Sequence, residues 1–546
     1  MTKIQQILAM LVLSINLSTA QLPTLIKNIN SDPNIKKGSI ASSSVYGAPY
    51  FVATKNGKMF FHASDDGYDY YPYISDGTAA GTVALSNDYS YNGNQSHVYD
   101  PIKDRFYYIG FKNLIGKYDY EVWTSDGTAA GTKVLKDIEP GTVGSYPEAL
   151  TMIGSKLFFA VFSGVGRGLW VSDGTEAGTV LLNPVIAKNL TVYKGKLYFK
   201  GYDKDPNNDD AALWESDGTV AGTKKIYSPA DFTKEVASIR PGAKNLYVGI
   251  GLQGGVIANA YNPATQKLTP LHNNKVVANL VSFNNKDFLF CTSLDGGVTP
   301  NELRETDGTV AGTKPIVKLK NFIYTFSAEK YAVFTATDTN GKELWVTDGT
   351  AAGTYEIDLN KGTGSSAPED FERIGNDIYF SAVYNDGKDY GREPMVTNGT
   401  VAGTKLIADM APGAASSSPR HFSLATFGGK TNLIFACEVD AKTGYEPYKL
   451  EIKLTTDSKD QTQEDKTLFT IQPNPSNSNT VATLNVALQG STAQLSIYDL
   501  QGKVIQKQSI QSEQQNIELK NMTKGIYFVQ IITSDARTNT QKLIIQ

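Results

Sequence analysis

A ten-residue string recurs along most of this chain. A repeat constrains a fold more than any single motif, because every copy must adopt the same supersecondary unit. The string first reads YISDGTAAGT at Tyr73–Thr82 and returns at Trp123–Thr132, Trp170–Thr179, Trp214–Thr223, Arg304–Thr313, Trp345–Thr354 and Met395–Thr404. Marked by Asp76, Asp126, Asp173, Asp217, Asp307, Asp348 and Asn398, the copies stand 50, 47, 44, 90, 41 and 50 residues apart. The step of 90 is two periods of 45, and Val256–Leu271 (VIANAYNPATQKLTPL) supplies the copy between, without the Asp-Gly-Thr. A further worn copy stands at Glu446–Ile452. That makes nine units.

Each unit carries four short β-rich runs separated by turn signals. In the third unit they are Ala149–Ile153, Lys156–Phe162, Gly168–Ser172 and Thr179–Leu182. No stretch within the repeats holds a 3.6-residue apolar rhythm, so the expectation is all-β. Four strands per 40–50 residues, repeated radially, predict a closed β-propeller of eight or nine four-stranded blades. The last unit supplies only three runs. Thr24–Ile29 resembles the fourth run of the second unit, so the N-terminal segment is expected to complete the last blade and leave no open sheet edge.

The string GKELWVTDGTAAGT around Glu343–Thr354 resembles the ELWxxDGT repeat of secreted Bacteroidota proteins, over roughly residues 40–450. Tyr73, Arg304 and Met395 depart from it at the Trp position, and Asn398 at the Asp position. The family has no single activity, so the resemblance implies architecture rather than chemistry.

All four tryptophans, Trp123, Trp170, Trp214 and Trp345, occupy one repeat position. Their replacement by Tyr73, Met395 and Tyr448 suits a packing slot between blades better than a stacking platform. The repeated Asp precedes Gly, as a tight turn requires: Asp accepts local N–H bonds and Gly takes positive φ. A catalytic acid is needed once, not seven times, so a turn role is expected. Asp203, Asp205, Asn207 and Asp209 have the spacing of an EF-hand start and are the calcium candidates. Position six lacks Gly and Trp214 falls where a bidentate Glu belongs, which favours a solvated loop. With 2 Cys and 4 His, a Cys/His zinc site is nearly excluded. Cys291 and Cys437 read as buried small hydrophobes, with Cys291 aligned to Ala436 so that the thiols face opposite ways. No catalytic constellation and no cofactor motif stand out.

The chain's ends carry addresses. Met1–Ala20 has Lys3, an apolar run from Ile7 to Leu13 and small residues at Ser18–Ala20, the pattern of a signal peptide. No segment supplies the 18 uninterrupted apolar residues of a membrane span. Residues 454–467 are a polar linker. Seven short alternating runs follow in residues 468–546, predicting a small immunoglobulin-like β-sandwich. Pro473, Asn474, Pro475, Gly502, Gly525, Tyr527 and Lys542 lie in strings that resemble the type A sorting domain of the type IX secretion system. The resemblance implies that residues 468–546 engage that machinery, and that the protein reaches the outer-membrane surface or the medium through the periplasm.

Charged residues make up 19% and the net charge is −4, which is not the footprint of a nucleic-acid binder. The function expected for residues 21–453 is therefore binding or adhesion to an extracellular glycan or protein. The alternative is a hydrolase or lyase acting on polysaccharide. A cluster of unrepeated acidic residues converging on the ring centre would favour the enzyme, and aromatic or polar groups on one rim the binder.

Overall fold

The computed structural model describes residues 13–16 and 22–29, then 51–456 except 54–55, 66–68, 91–96, 114–117, 142–143, 163, 204–210, 230–234, 253–254, 264, 266, 272–274, 294–300, 320, 363 and 440–443. Beyond these it describes 469–472, 481–486, 493–498, 504–511, 514–519, 522, 524–533 and 538–545. Every regular element among them is a β-strand. The chain divides into a unit of Leu13–Thr455 and a unit of Met1–Val12 with Thr456–Gln546.

The first of these is a nine-bladed propeller, the larger of the two sizes expected. Nine antiparallel sheets follow in sequence order, from Val52–Ala84 to the last, whose own strands are Arg420–Phe427, Lys430–Glu438 and Tyr445–Glu451. The worn fifth copy is a complete blade of Glu235–Pro241, Leu246–Leu252, Gly255–Asn262 and Lys267–Pro270. In the second blade the first strand is split into Tyr89–Ser90 and His97–Asp100, both pairing with Arg105–Asn113. First strands of neighbouring blades pack on one another from the second blade to the fifth and from the sixth to the ninth, and the first strand of the ninth blade meets that of the first.

The N-terminal segment closes the ring. Thr24 pairs with Lys449 and Leu25 with Tyr448, and the Ile26 amide donates to the Pro447 carbonyl at 2.9 Å. Ile26 and Ile29 are buried in the apolar cluster that joins the ninth blade to the first. The remaining blade interfaces are built alike, each around a cluster of its own. Flat antiparallel sheets stacked side by side need apolar residues on both faces, and the second strands supply them: Leu157, Phe158, Phe159, Ala160 and Val161 are all buried.

A two-stranded sheet pairs Leu13–Asn16, within the stretch read as a signal peptide, with Lys453–Thr456, at the start of the stretch read as a linker. The C-terminal unit has the seven strands expected. Phe469–Gln472, Val481–Val486 and Gln514–Glu518 form one sheet; Val504–Ile510, Ala493–Tyr498, Gly525–Thr533 and Thr538–Ile545 form the other. Alternate residues Leu495, Ile497, Val529, Ile531, Leu543 and Ile545 are buried with Ile517 of the first sheet in one core.

The cysteines correct one expectation. Cys291 lies opposite Glu302 and Cys437 opposite Glu446, each two residues before the repeat's Trp position. They are therefore equivalent, not opposed, and each packs against the preceding blade. The hairpin from Cys291 to Glu302 is longer than that from Cys437 to Glu446, which hid the register. Both are buried.

Candidate functional site

The repeated residues are occupied with one another. At the first turn the Asp76 carboxylate accepts the Thr78 amide at 2.9 Å and its hydroxyl at 2.7 Å. The Thr78 hydroxyl accepts the Gly81 amide, Ser75 and Thr82 share a hydrogen bond at 2.7 Å, and the Gly77 amide donates to Ser75. The same set forms around Asp126, Asp173, Asp217, Asp307 and Asp348. At Asn398 the amide oxygen takes the carboxylate's place, accepting Thr400 at 3.1 and 2.7 Å. The Gly after Asp has φ of +82° to +91°, and the second Gly lies under the carboxylate, where a Cβ at Gly81 would stand 2.1 Å from Asp76. Hydrogen bonds from the Thr hydroxyl hold Asp76, Asp126, Asp173, Asp217 and Asp307 below the usual carboxylate value.

The tryptophans stack across the sheet. Trp170 lies against Phe159 at 6.3 Å, Trp214 against Phe199 and Trp345 against Phe334 at 6.0 Å, and Trp123 against Tyr108 at 6.1 Å. Each also belongs to the cluster shared with the preceding blade. Tyr73 and Met395 fill the same slot. Arg304 instead pairs with Glu302 at 2.6 Å.

A third repeated position carries a role that the sequence reading passed over. Two residues before the Trp position stand Glu121, Glu343, Glu393 and Glu446, all buried. The Glu393 carboxylate accepts the amides of Met410, Ala411 and Ser417 at 3.1–3.2 Å and the Ser417 hydroxyl at 2.5 Å. Glu343 clasps Leu359 and Ser366, and Glu121 clasps Glu139 and Ser145. Each clasp fixes the loop that leads to the next blade. In the ninth blade the donor comes from the other end of the chain: the Ile29 amide donates to Glu446 at 3.2 Å. Burial pushes Glu121 and Glu393 up to about 7 and raises Glu343, against the pull of these donors.

At the ring centre the pattern differs. First strands are bulged in seven blades, at one register in five and displaced from it in the fifth and sixth. In five, a non-glycine residue there takes left-handed φ: Ala149 (+56°), Asn189 (+55°), Tyr324 (+49°), Asp370 (+55°) and His421 (+59°). Such φ is strained for a side chain as large as Tyr, and bulges of this kind re-aim side chains at functional sites. Around them runs a polar belt. Arg240 donates to Asn279 at 2.9 Å, and Asn279 in turn donates to Thr325, linking the fifth, sixth and seventh blades. Arg420 lies 3.9 Å from Asp370 and Arg392 3.4 Å from Glu369. Burial raises Asp370 to about 6 and Glu372 to about 7; Arg420 opposes the shift at Asp370. This surface offers cations, carboxylates, amides and a phenol within a few residues of one another.

The remaining sequence candidates are scattered. Asp203 pairs with Lys225, while Asp205, Asn207 and Asp209 lie outside the described residues, as do Pro473, Asn474, Pro475 and Gly502. Gly525 opens the strand that carries Tyr527, which is buried, and Lys542 lies opposite Phe528. The structure also brings together His62 and His97, both buried, with ring centres 4.8 Å apart.

Residues 470–546 match the secretion system C-terminal sorting domain. The chain thus carries a type IX sorting tail, which marks a secreted or cell-surface protein that engages the secretion machinery. No helix among the described residues is long and apolar enough to cross a membrane. No curated protein matches the sequence. Among solved structures, the chain is similar to a prolyl endopeptidase (14% identity, 63% of this chain and 54% of that one, TM-score 0.38). It is also similar to the Dos1 propeller (11%, 65% and 91%, TM-score 0.41) and to an oligogalacturonate lyase in complex with manganese (11%, 81% and 96%, TM-score 0.35). The chain spans about half the length of the endopeptidase it matches.

Proposed function

We propose that this is an exported propeller that binds an extracellular polymer at the centre of its ring. One observation carries the reading. Repeated side chains spend their hydrogen bonds on the fold, whereas the bulged first strands of four blades hold four different polar or aromatic residues, Asn189, Tyr324, Asp370 and His421. A surface of amides, guanidinium groups, carboxylates and a phenol suits a polyhydroxyl ligand such as a glycan, or a peptide. In this reading the Asp-Gly-Thr turns and the Trp slots are structural. Residues 1–20 are a signal peptide, 21–453 a propeller of the ELWxxDGT kind found in Bacteroidota, 454–467 a linker and 468–546 the sorting domain. Type IX export then delivers the propeller to the cell surface or the medium.

Asp370 and Glu372 favour a second reading, a polysaccharide hydrolase or lyase. Carboxyls raised to about 6 and about 7 suit a general acid near neutral pH. A polysaccharide array and a depolymerisation assay on the purified chain separate the two. Retention without new reducing ends or unsaturated products supports the binder. Depolymerisation abolished by Asp370→Asn or Glu372→Gln would replace it with the enzyme.

A further inference from the structure

We propose a calcium site in the second blade, formed by Asp119, Glu121 and Asp137. Asp119 and Glu121 stand two residues apart on the third strand, and so share one face of the sheet. Asp137 lies in the loop that Glu121 clasps. One carboxylate oxygen from each residue falls within 4.8 Å of the others. Oxygens on opposite sides of a calcium ion stand about 4.6–5.2 Å apart, against about 4.0–4.2 Å for magnesium. Three carboxylate oxygens that all lie within 4.8 Å of one another can share one calcium, a hard cation that takes oxygen ligands in flexible geometry.

A second observation points to the ion. Asp119 is only 7% exposed, and its Oδ1 meets no hydrogen-bond donor among the described residues. A buried carboxylate oxygen without a donor is costly. Here it sits beside two more carboxylates, whose like charge makes the cost larger. Burial raises Asp119 and Asp137 raises it further, while Lys112 on the paired strand pulls it the other way. A divalent cation replaces the missing donor and reverses the repulsion.

The other blades show that this is not the repeat's ordinary geometry. Glu343 and Glu393 clasp loops of the same length, with Asp358 and Asp409 in the place of Asp137. Two residues before each Glu, however, they carry glycine. A Cβ at Gly391 would stand 2.0 Å from the Ala415 carbonyl oxygen, and one at Gly341 2.6 Å from the Ser365 hydroxyl. Among the four blades that carry the clasping Glu, the second alone has a carboxylate at that position. The site is distinct from the ring centre and from the loop at Asp203–Asp209.

The test is calcium titration of the full chain, stripped of metal with chelator, read by calorimetry and by thermal unfolding. The expected result is one calcium bound per chain, with a dissociation constant of about 1 mM or tighter, and a melting temperature that rises with calcium. Asp119→Gly restores the residue that three other blades carry. It should keep the metal-free melting temperature or raise it, and weaken calcium binding at least about tenfold. Asp119→Asn should weaken binding similarly. No calcium binding by the native chain, equal binding by Asp119→Gly, or magnesium binding as tightly as calcium would overturn the site. So would loss of binding in Asp203→Asn/Asp205→Asn with Asp119 intact.

Discussion

The outer turns and the inner strands of this propeller are both repeated, yet they repeat different things. At the turns, backbone and side chains are copied together: Asp, Gly, Thr and the flanking Ser or Thr recur with nearly the same hydrogen bonds in seven blades. At the centre only the backbone is copied. The bulge returns at one register, but the residue on it is Ala149, Asn189, Tyr324, Asp370 or His421. A residue copied with all its partners is explained by the fold. A strained position copied without its side chain is not, and function is the natural account of it.

The largest effect should come from the latch. Removing residues 22–29 takes away the outer strand of the ninth blade, two buried isoleucines and the amide donor to Glu446. The expected outcome is loss of cooperative unfolding or a fall in melting temperature above about 10 °C, with self-association through the bared edge. An unchanged melting temperature and a monomer by light scattering would break the ring closure.

The clasp comes next. Glu393→Ala takes the acceptor from the Met410 and Ala411 amides and the Ser417 hydroxyl, while the Ser417 amide keeps the Arg392 carbonyl; this should cost about 3 kcal/mol in urea unfolding. The same groups set a pH dependence. Glu343 and Glu393 have folded values above the 4.5 of the free side chain. Their favourable contribution is therefore complete below about 4.5 and is lost as pH rises, through about 7 in the case of Glu393. The turn aspartates have folded values below the free 3.8. Their contribution is present above about 3.8 and is lost as pH falls further. Melting temperature should thus peak at mildly acidic pH, and Glu343→Gln/Glu393→Gln should flatten the fall on the neutral side. A native profile that rises from pH 4.5 to 7 would contradict this assignment.

The smallest effect belongs to the turn. Asp173→Asn should change stability by less than about 0.5 kcal/mol, because Asn398 already makes the same bonds. Asp173→Ala should cost about 1 kcal/mol, as losing a side chain that caps backbone donors does. Equal damage from both would mean that the charge, not the turn, is what the repeat preserves.

Much of the frame was legible in the sequence because its signals are local. The Asp-Gly-Thr turns, the Trp slot and the four-run rhythm each sit within one unit, and Thr24–Ile29 betrayed itself by likeness to a fourth run. The clasp was not legible. Glu393 and Ser417 are separated by a whole strand and a loop, and nothing in their spacing announces a hydrogen bond. The bulges escaped for the opposite reason: Glu369–Phe371 and Arg420–Phe422 share a backbone shape and a closing Phe, but Asp370 and His421, which take the left-handed φ, have nothing in common. The acidic trio combines both difficulties, a position that is glycine elsewhere and a partner beyond the next strand.

The division between a copied frame and an unrepeated centre is tested most directly by binding and stability measured on the same variants. On a polysaccharide and peptide array, the native chain should be retained by a defined set of spots. Tyr324→Ala and Asp370→Ala should lose that retention at least about tenfold at unchanged melting temperature, since neither contributes to a core. Asp173→Asn and Asp348→Asn should keep it. Retention that survives both central substitutions and disappears with the turn substitutions would contradict the account.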